Sequence, residues 1–157
     1  MTERVLVCVP VDAGEAGRIA EGHTLPGPVQ AFTANDALLD AFGLQPSDDE
    51  QAEYAVLLLA GLYGLIRYGA RLVLTALVDP QTLTEGEEAD NGGVALSELA
   101  AGSVEAWFSD EDDVLLPELR EAVSGLSLDD AWDTSEITAL HADHDLAWHS
   151  ITELPRR

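Results

Sequence analysis

The chain contains no lysine. All seven of its basic residues are arginine, set against 30 aspartates and glutamates, for a formal net charge of −23 over 157 residues. Arg4, Arg18, Arg67, Arg71 and Arg120 are scattered, and only Arg156 and Arg157 are adjacent. Proteins that bind nucleic acid displace counterions from phosphates with clustered cations. No such stripe can be assembled here, which excludes direct nucleic acid binding and, by the same electrostatics, attraction to an anionic membrane surface.

Cysteine is almost missing as well. Cys8 stands alone, so no internal disulfide forms and no oxidising compartment is required. It lies in the apolar run 5–11, where a thiol acts as a small core hydrophobe rather than a nucleophile. No Gly-x-Ser-x-Gly motif is present to anchor nucleophilic catalysis. The opening residues lack the basic region and small-residue cleavage site of a signal peptide. The longest largely apolar run, 55–66, is too short to span a bilayer and suits a buried helix instead. A cytoplasmic location is expected.

What is present is an ordinary globular mix, with 46% hydrophobic and 24% charged residues. One domain over 1–157 is expected, large enough to bury roughly 70% of the surface of its unfolded chain. The β-branched run 4–11 reads as a central strand closed by Pro10. A short helix over 13–21, a turn at 26–28 and a strand over 29–33 follow. Asn35 or Thr33 caps a helix that Gly43 ends. The clearest element is a helix from 48 to 68, opened by Ser47 and Glu50 at capping-box spacing and stopped by Gly69. Its apolar residues surround it, so it is buried on most sides. Gly61 and Gly64 inside it suggest close approach of a neighbouring backbone. Strands follow at 71–78, 94–96 and 103–108, with a turn of helix at 97–101. Residues 81–93 are expected to form a flexible acidic loop. Helices follow around Leu116 and Leu119 and over 127–140, and a last strand over 145–150, where Leu146 and Trp148 alternate and point into the core. The expected architecture is α/β or α+β, with a mixed sheet of about four to six strands packed by helices.

The charge is uneven. Residues 1–78 carry ten acids and four arginines, residues 79–157 twenty acids and three, so the halves hold −6 and −17. Either the acids simply keep the surface hydrated, or they dock on a basic protein partner or imitate a polyanion. Asp110, Glu111, Asp112 and Asp113 form the densest run. At a helix start such a run is explained by the helix dipole; as a hard-cation site it lacks the Gly and distal Glu of an EF-hand loop. Trp132, flanked by Asp130 and Asp133, joins this run as a candidate interaction surface if it is exposed.

His141, Asp143, His144 and Asp145 are the only dense group of metal-capable side chains. They resemble part of the His-x-His-x-Asp-His motif of metallo-β-lactamase-type hydrolases, but Ala139 stands at its first histidine. Helical or extended, the segment brings three potential ligands to one face. The alternative is a plain polar connection. Gly14 and Gly17 form only a Gly-x-x-Gly spacing, short of the loops that cradle phosphates.

Several short motifs stand together along the chain. The opening strand ends in Val9-Pro10; Leu25-Pro26-Gly27-Pro28, Ala31-Phe32-Thr33 and Ala37-Leu38 follow; then come Glu53-Tyr54-Ala55, His144-Asp145-Leu146-Ala147-Trp148-His149 and Glu153-Leu154-Pro155. With these the chain resembles a family of uncharacterised, mostly actinobacterial proteins of about this length. The resemblance implies one compact domain and a GC-rich bacterial origin, and it carries no site residue. The leading expectation is a non-enzymatic protein-binding module that uses its acidic C-terminal half and needs no cofactor. The alternatives are a small enzyme or ligand-binding protein that holds a divalent metal in the 141–149 segment, and a DNA-mimic inhibitor whose acids share one contiguous face.

Overall fold

The computed structural model describes residues 3–112, 114 and 116–155. The 5–11 run forms β1 (Val5–Pro10), and Asp12 then caps α1 (Ala13–Ala20). That cap is a full capping box: Asp12 Oδ1 accepts from the Glu15 amide at 2.8 Å, and Glu15 Oε1 accepts from the Asp12 amide at 3.1 Å. β2 (Leu25–Thr33) leads through the Asn35 cap into α2 (Asp36–Phe42), which Gly43 ends at φ 64°. The long helix is α3 (Asp49–Tyr68), stopped as expected by Gly69 at φ 86°. Its expected capping box does not form. Asp48 is the N-cap, and its carboxylate turns back to accept from the Gln45 amide at 2.8 Å.

β3 (Leu72–Val78), β4 (Leu83–Glu85), β5 (Gly93–Leu99) and β6 (Val104–Ser109) come next. α4 (Leu116–Val123), α5 (Leu128–Trp132), α6 (Ser135–Asp143) and β7 (Ala147–Ser150) complete the chain. The strands form one sheet in the order β4-β5-β2-β1-β3-β6-β7, and every neighbouring pair is antiparallel. The class is therefore α+β. The expected mixed sheet of four to six strands is instead seven strands, all antiparallel, because residues 81–93, expected as a flexible loop, contribute β4, which pairs with β5. Two other strands run further than expected. Residues 26–28, expected as a turn, lie inside β2, where the register against β5 shifts between Pro26 and Val29. Residues 97–99, expected to start a helical turn, continue β5. The expected helix over 127–140 is two helices, because the Thr134 hydroxyl accepts from the Ile137 amide at 3.2 Å and starts a new one.

Alternation along the strands separates two cores. Cys8, Phe32 and Val73 face the helical side, where they pack with α3 and with Leu38, Val123, Ala131, Ile137 and Leu140. Val7, Val9, Ala31, Leu74, Ala76, Leu96 and Trp107 face the other side, closed by Ala16 and Ile19 of α1 and by Leu154. Helix α3 has eleven buried residues of its twenty, as its apolar circumference requires. No helix among the described residues is long and apolar enough to cross a membrane. Trp148, expected in the core, is 62% exposed: β7 is the sheet margin, and its helical side is left uncovered there.

Candidate functional site

Arg71 stands between the end of α3 and the start of β3, and its side chain is wholly buried. A buried cation requires a partner, which the loop after β6 supplies. Arg71 Nε donates to Asp110 Oδ1 at 2.6 Å, and the Arg71 amide donates to Asp110 Oδ2 at 3.0 Å. A third donation, from Nη2, reaches the His144 carbonyl at 3.2 Å. Arg71 thus joins three segments distant in sequence: the α3–β3 corner, the acidic loop after β6, and the loop between α6 and β7. Gly61 makes room for it. A Cβ there would lie 3.3 Å from Arg71 Cδ and 3.4 Å from Leu146 Cδ1.

His141 hangs from α6 toward the same interior, under the tilted ring of Trp132 at 4.9 Å between centroids. Trp132 in turn meets Phe42 edge-on at 5.3 Å. Arg71 Nη1 and His141 Nε2 are both buried without a hydrogen-bond partner. Burial, and secondly the charge of Arg71, push the His141 pKa down from 6.5 to about 4. The imidazole is held neutral at physiological pH.

Outside this buried node the surface is acidic. Glu111, Asp112, Asp143, His144 and Asp145 line a cleft of about 490 Å³. Beside it, between α4 and α6, is a groove of about 290 Å³ floored by Val114, Leu119, Ala139 and Leu140 and rimmed by Glu118 and Glu136. Asp143 and His144 line both. Six carboxylates therefore surround one apolar groove and its adjoining cleft, and among the described residues no arginine lines either. At the cleft's far side Tyr54, 47% exposed, donates to Asp145 Oδ1 at 3.2 Å.

A second constellation lies at the sheet margin. Ser109 Oγ is 2.9 Å from His149 Nε2, and His149 Nδ1 is 3.5 Å from Glu153 Oε2. Trp107 stacks on the His149 ring at 4.0 Å and donates its Nε1–H to the Ser150 carbonyl at 2.9 Å. The order serine, histidine, carboxylate is that of a nucleophile with its base and orienter. None of the five cavities described is lined by any of the three. What the network does in this fold is tie the 151–153 turn and β7 to β6.

The model of a family of unknown function, DUF6912, matches residues 5–156. The chain belongs to the DUF6912 family. No curated protein and no solved structure matches it. The matched span takes in every motif from Val9-Pro10 to Pro155 on which the resemblance to an uncharacterised family was based.

Within this DUF6912 chain the sequence-derived candidates separate into two groups. Asp143, His144 and Asp145 share the cleft with Glu111 and Asp112. Asp110 does not face solvent with its neighbours, since its side chain is 7% exposed and is spent on Arg71. Asp113 lies outside the described residues. His141 points inward under Trp132, away from the acids expected beside it as metal ligands, because α6 carries it on its buried side. Among the described residues no three His, Cys, Asp or Glu side chains converge as a metal site. Trp132 is half-buried and packs inward; the exposed tryptophan is Trp148. The acids behind residue 78 include Glu85 on β4 at one sheet margin, Asp145 next to β7 at the other, Glu98 and Glu105 on inner strands, and Glu118, Asp129 and Glu136 on helices. In the sequence Arg71 reads only as one of the scattered arginines and the start of a strand. The available signal was its place as the sole cation at the mouth of a strongly apolar strand.

Proposed function

We propose that the protein is a binding module for a cationic, amphipathic segment of another protein, seated in the groove between α4 and α6. The observation that carries this reading is the sharing of Asp143 and His144 by an apolar groove and an acidic cleft. Apolar side chains of such a segment would cover Val114, Leu119, Ala139 and Leu140. Its lysines or arginines would meet Glu111, Asp112, Glu118, Glu136, Asp143 and Asp145. Acids alone would steer any cation; an apolar floor enclosed by acids selects for one that is amphipathic. The occupant is a basic protein rather than a polyanion, because among the described residues six carboxylates and no arginine line the surface.

The test is a titration with a synthetic amphipathic Leu/Lys helical peptide, with a scrambled peptide of equal charge as control, followed by NMR shifts and calorimetry. The amphipathic peptide should bind at least about tenfold more tightly, since each 1.4 kcal/mol of apolar burial is a factor of ten. Replacing Asp112, Glu136 and Asp143 by Asn, Gln and Asn should weaken it, and replacing Glu85, Glu98 and Glu105 by Gln should not. Equal binding of both peptides, or equal weakening by both triple substitutions, would show only diffuse attraction to the net charge and overturn the reading.

A further inference from the structure

The other end of α3 carries a second cavity that the groove does not involve. Arg67 lies thirteen positions after Tyr54, about 20 Å along the helix. Tyr63, Arg67 and Tyr68 project from the last turns of α3 over the ends of β1 and β2, where Pro10, Pro26 and Pro28 stiffen the wall. The space is about 300 Å³, at the small end of the range for small-molecule sites, and it opens to solvent past the exposed Arg67 and Glu87. Gly64 sets the approach, for a Cβ there would lie 3.1 Å from the Ala70 carbonyl oxygen and 3.5 Å from Pro10.

The groups facing this space are of both signs. Glu15 comes from the first turn of α1 and Glu87 from the loop after β4. Glu87 is fixed across the opening by two bonds, accepting from the Tyr63 hydroxyl at 2.8 Å and donating its amide to Gln30 Oε1 at 2.9 Å. Arg67 lies over the Tyr68 ring, 6.0 Å from its centroid. Among the described residues it has no carboxylate within the 4.0 Å of an ion pair, although the chain has 30 acids to seven bases and two glutamates line the same cavity. Arg67 is exposed and hydrogen-bonded to the Tyr68 side chain; a guanidinium held there beside two carboxylates, in a space walled by tyrosines and prolines, suits a small molecule that itself carries both charges.

We propose that this cavity binds a small zwitterion of the free amino acid type, its carboxylate on Arg67 and its ammonium between Glu15 and Glu87 against the faces of Tyr63 and Tyr68. Carboxylate pairing with a guanidinium supplies one end of the recognition, and an ammonium over aromatic faces the other. The mixed donors disfavour a ligand with only one of the two charges, because the opposite protein charge would then be desolvated without a partner.

The experiment is a thermal-unfolding screen of the full chain against the twenty free amino acids and glycine betaine at 10 mM, with propionate and propylamine as single-charge controls and NMR titration of any positive. At least one zwitterion should raise the midpoint by about 2 °C or more, as expected when concentration exceeds Kd several-fold, and both controls should leave it unmoved. Arg67→Gln and Glu87→Gln should each weaken the positive ligand at least tenfold. The Asp112, Glu136 and Asp143 groove variant should bind it unchanged, so failure here and failure of the groove reading are separable. Absence of any positive zwitterion, equal binding of propionate, or insensitivity to Arg67→Gln would overturn the proposal.

Discussion

The guanidinium of Arg71 and the carboxylate of Asp110 meet at 2.6 Å in an interior that leaves the arginine side chain 0% and the aspartate 7% exposed. Removing one member of such a pair leaves the other buried and uncompensated, which costs about 3–5 kcal/mol. Asp110→Ala should therefore lower the unfolding free energy by about that amount in urea melts. The double variant Arg71→Met with Asp110→Asn should recover most of the loss, because the asparagine oxygen still accepts the residue-71 amide and no charge is stranded. A single variant no worse than the double would refute the pairing argument.

Acid should act through His141. In the unfolded chain it titrates near 6.5, and in the fold its pKa lies near 4, held down by burial and by Arg71. Between these values the unfolded state binds more protons, so stability rises with pH. The contribution is complete above about 6.5 and is lost as pH falls toward about 4. His141→Leu should flatten this part of the stability curve. The quantity to measure is the wild-type minus variant difference in urea midpoint from pH 4 to 8, since relief of carboxylate repulsion on acidification is common to both. A difference that does not change with pH would contradict the assignment.

Cys8 should be inert in the native protein. Burial, and secondly the nearby Glu53 charge, push its thiol up to about 12, so at pH 8 its thiolate fraction is on the order of one in ten thousand. The aromatic disulfide reagent DTNB should give no release in native buffer and one equivalent in 8 M urea. Rapid native reaction would place the thiol outside the core.

Trp148 should account for most of the tryptophan emission that a neutral quencher reaches. Trp107 is 9% exposed and Trp132 half-buried, against 62% for Trp148. In Trp148→Ala the acrylamide-accessible fraction should collapse, while stability shifts by no more than about 0.5 kcal/mol, as for surface positions free of special contacts. A larger destabilisation would mean that the ring is covered.

The parts of this fold legible in the sequence are those specified locally. Asn35 with Gly43, and α3 with Gly69, follow from capping and left-handed C-terminal residues that act within a few positions. Cys8 reads as buried because its neighbours are all apolar. The order of the sheet depends on pairings such as β1 with β3, more than sixty residues apart, and no local pattern encodes them. Trp148 shows the same limit, since alternation places it on a face but cannot say that nothing covers that face at a margin. At the candidate site, sequence density brought out Asp143, His144 and Asp145, which do share a cleft. It missed the apolar groove beside them, because Val114 just ahead of α4 and Leu119 within it belong to one segment and Leu140 of α6 to another, and the two meet only in the folded chain. Gly61 and Gly64 suggested close approach of a backbone; Gly64 has one at Ala70, whereas Gly61 admits the side chains of Arg71 and Leu146.

The sheet terminates at both sides in very short strands, three residues in β4 and four in β7. Growth of cross-β fibres requires a long unsatisfied rim onto which another copy can hydrogen-bond, and here the outermost strands are too short to offer one. Together with mutual repulsion between molecules of charge −23, this predisposes the native protein to remain dispersed when concentrated, despite a sheet seven strands wide.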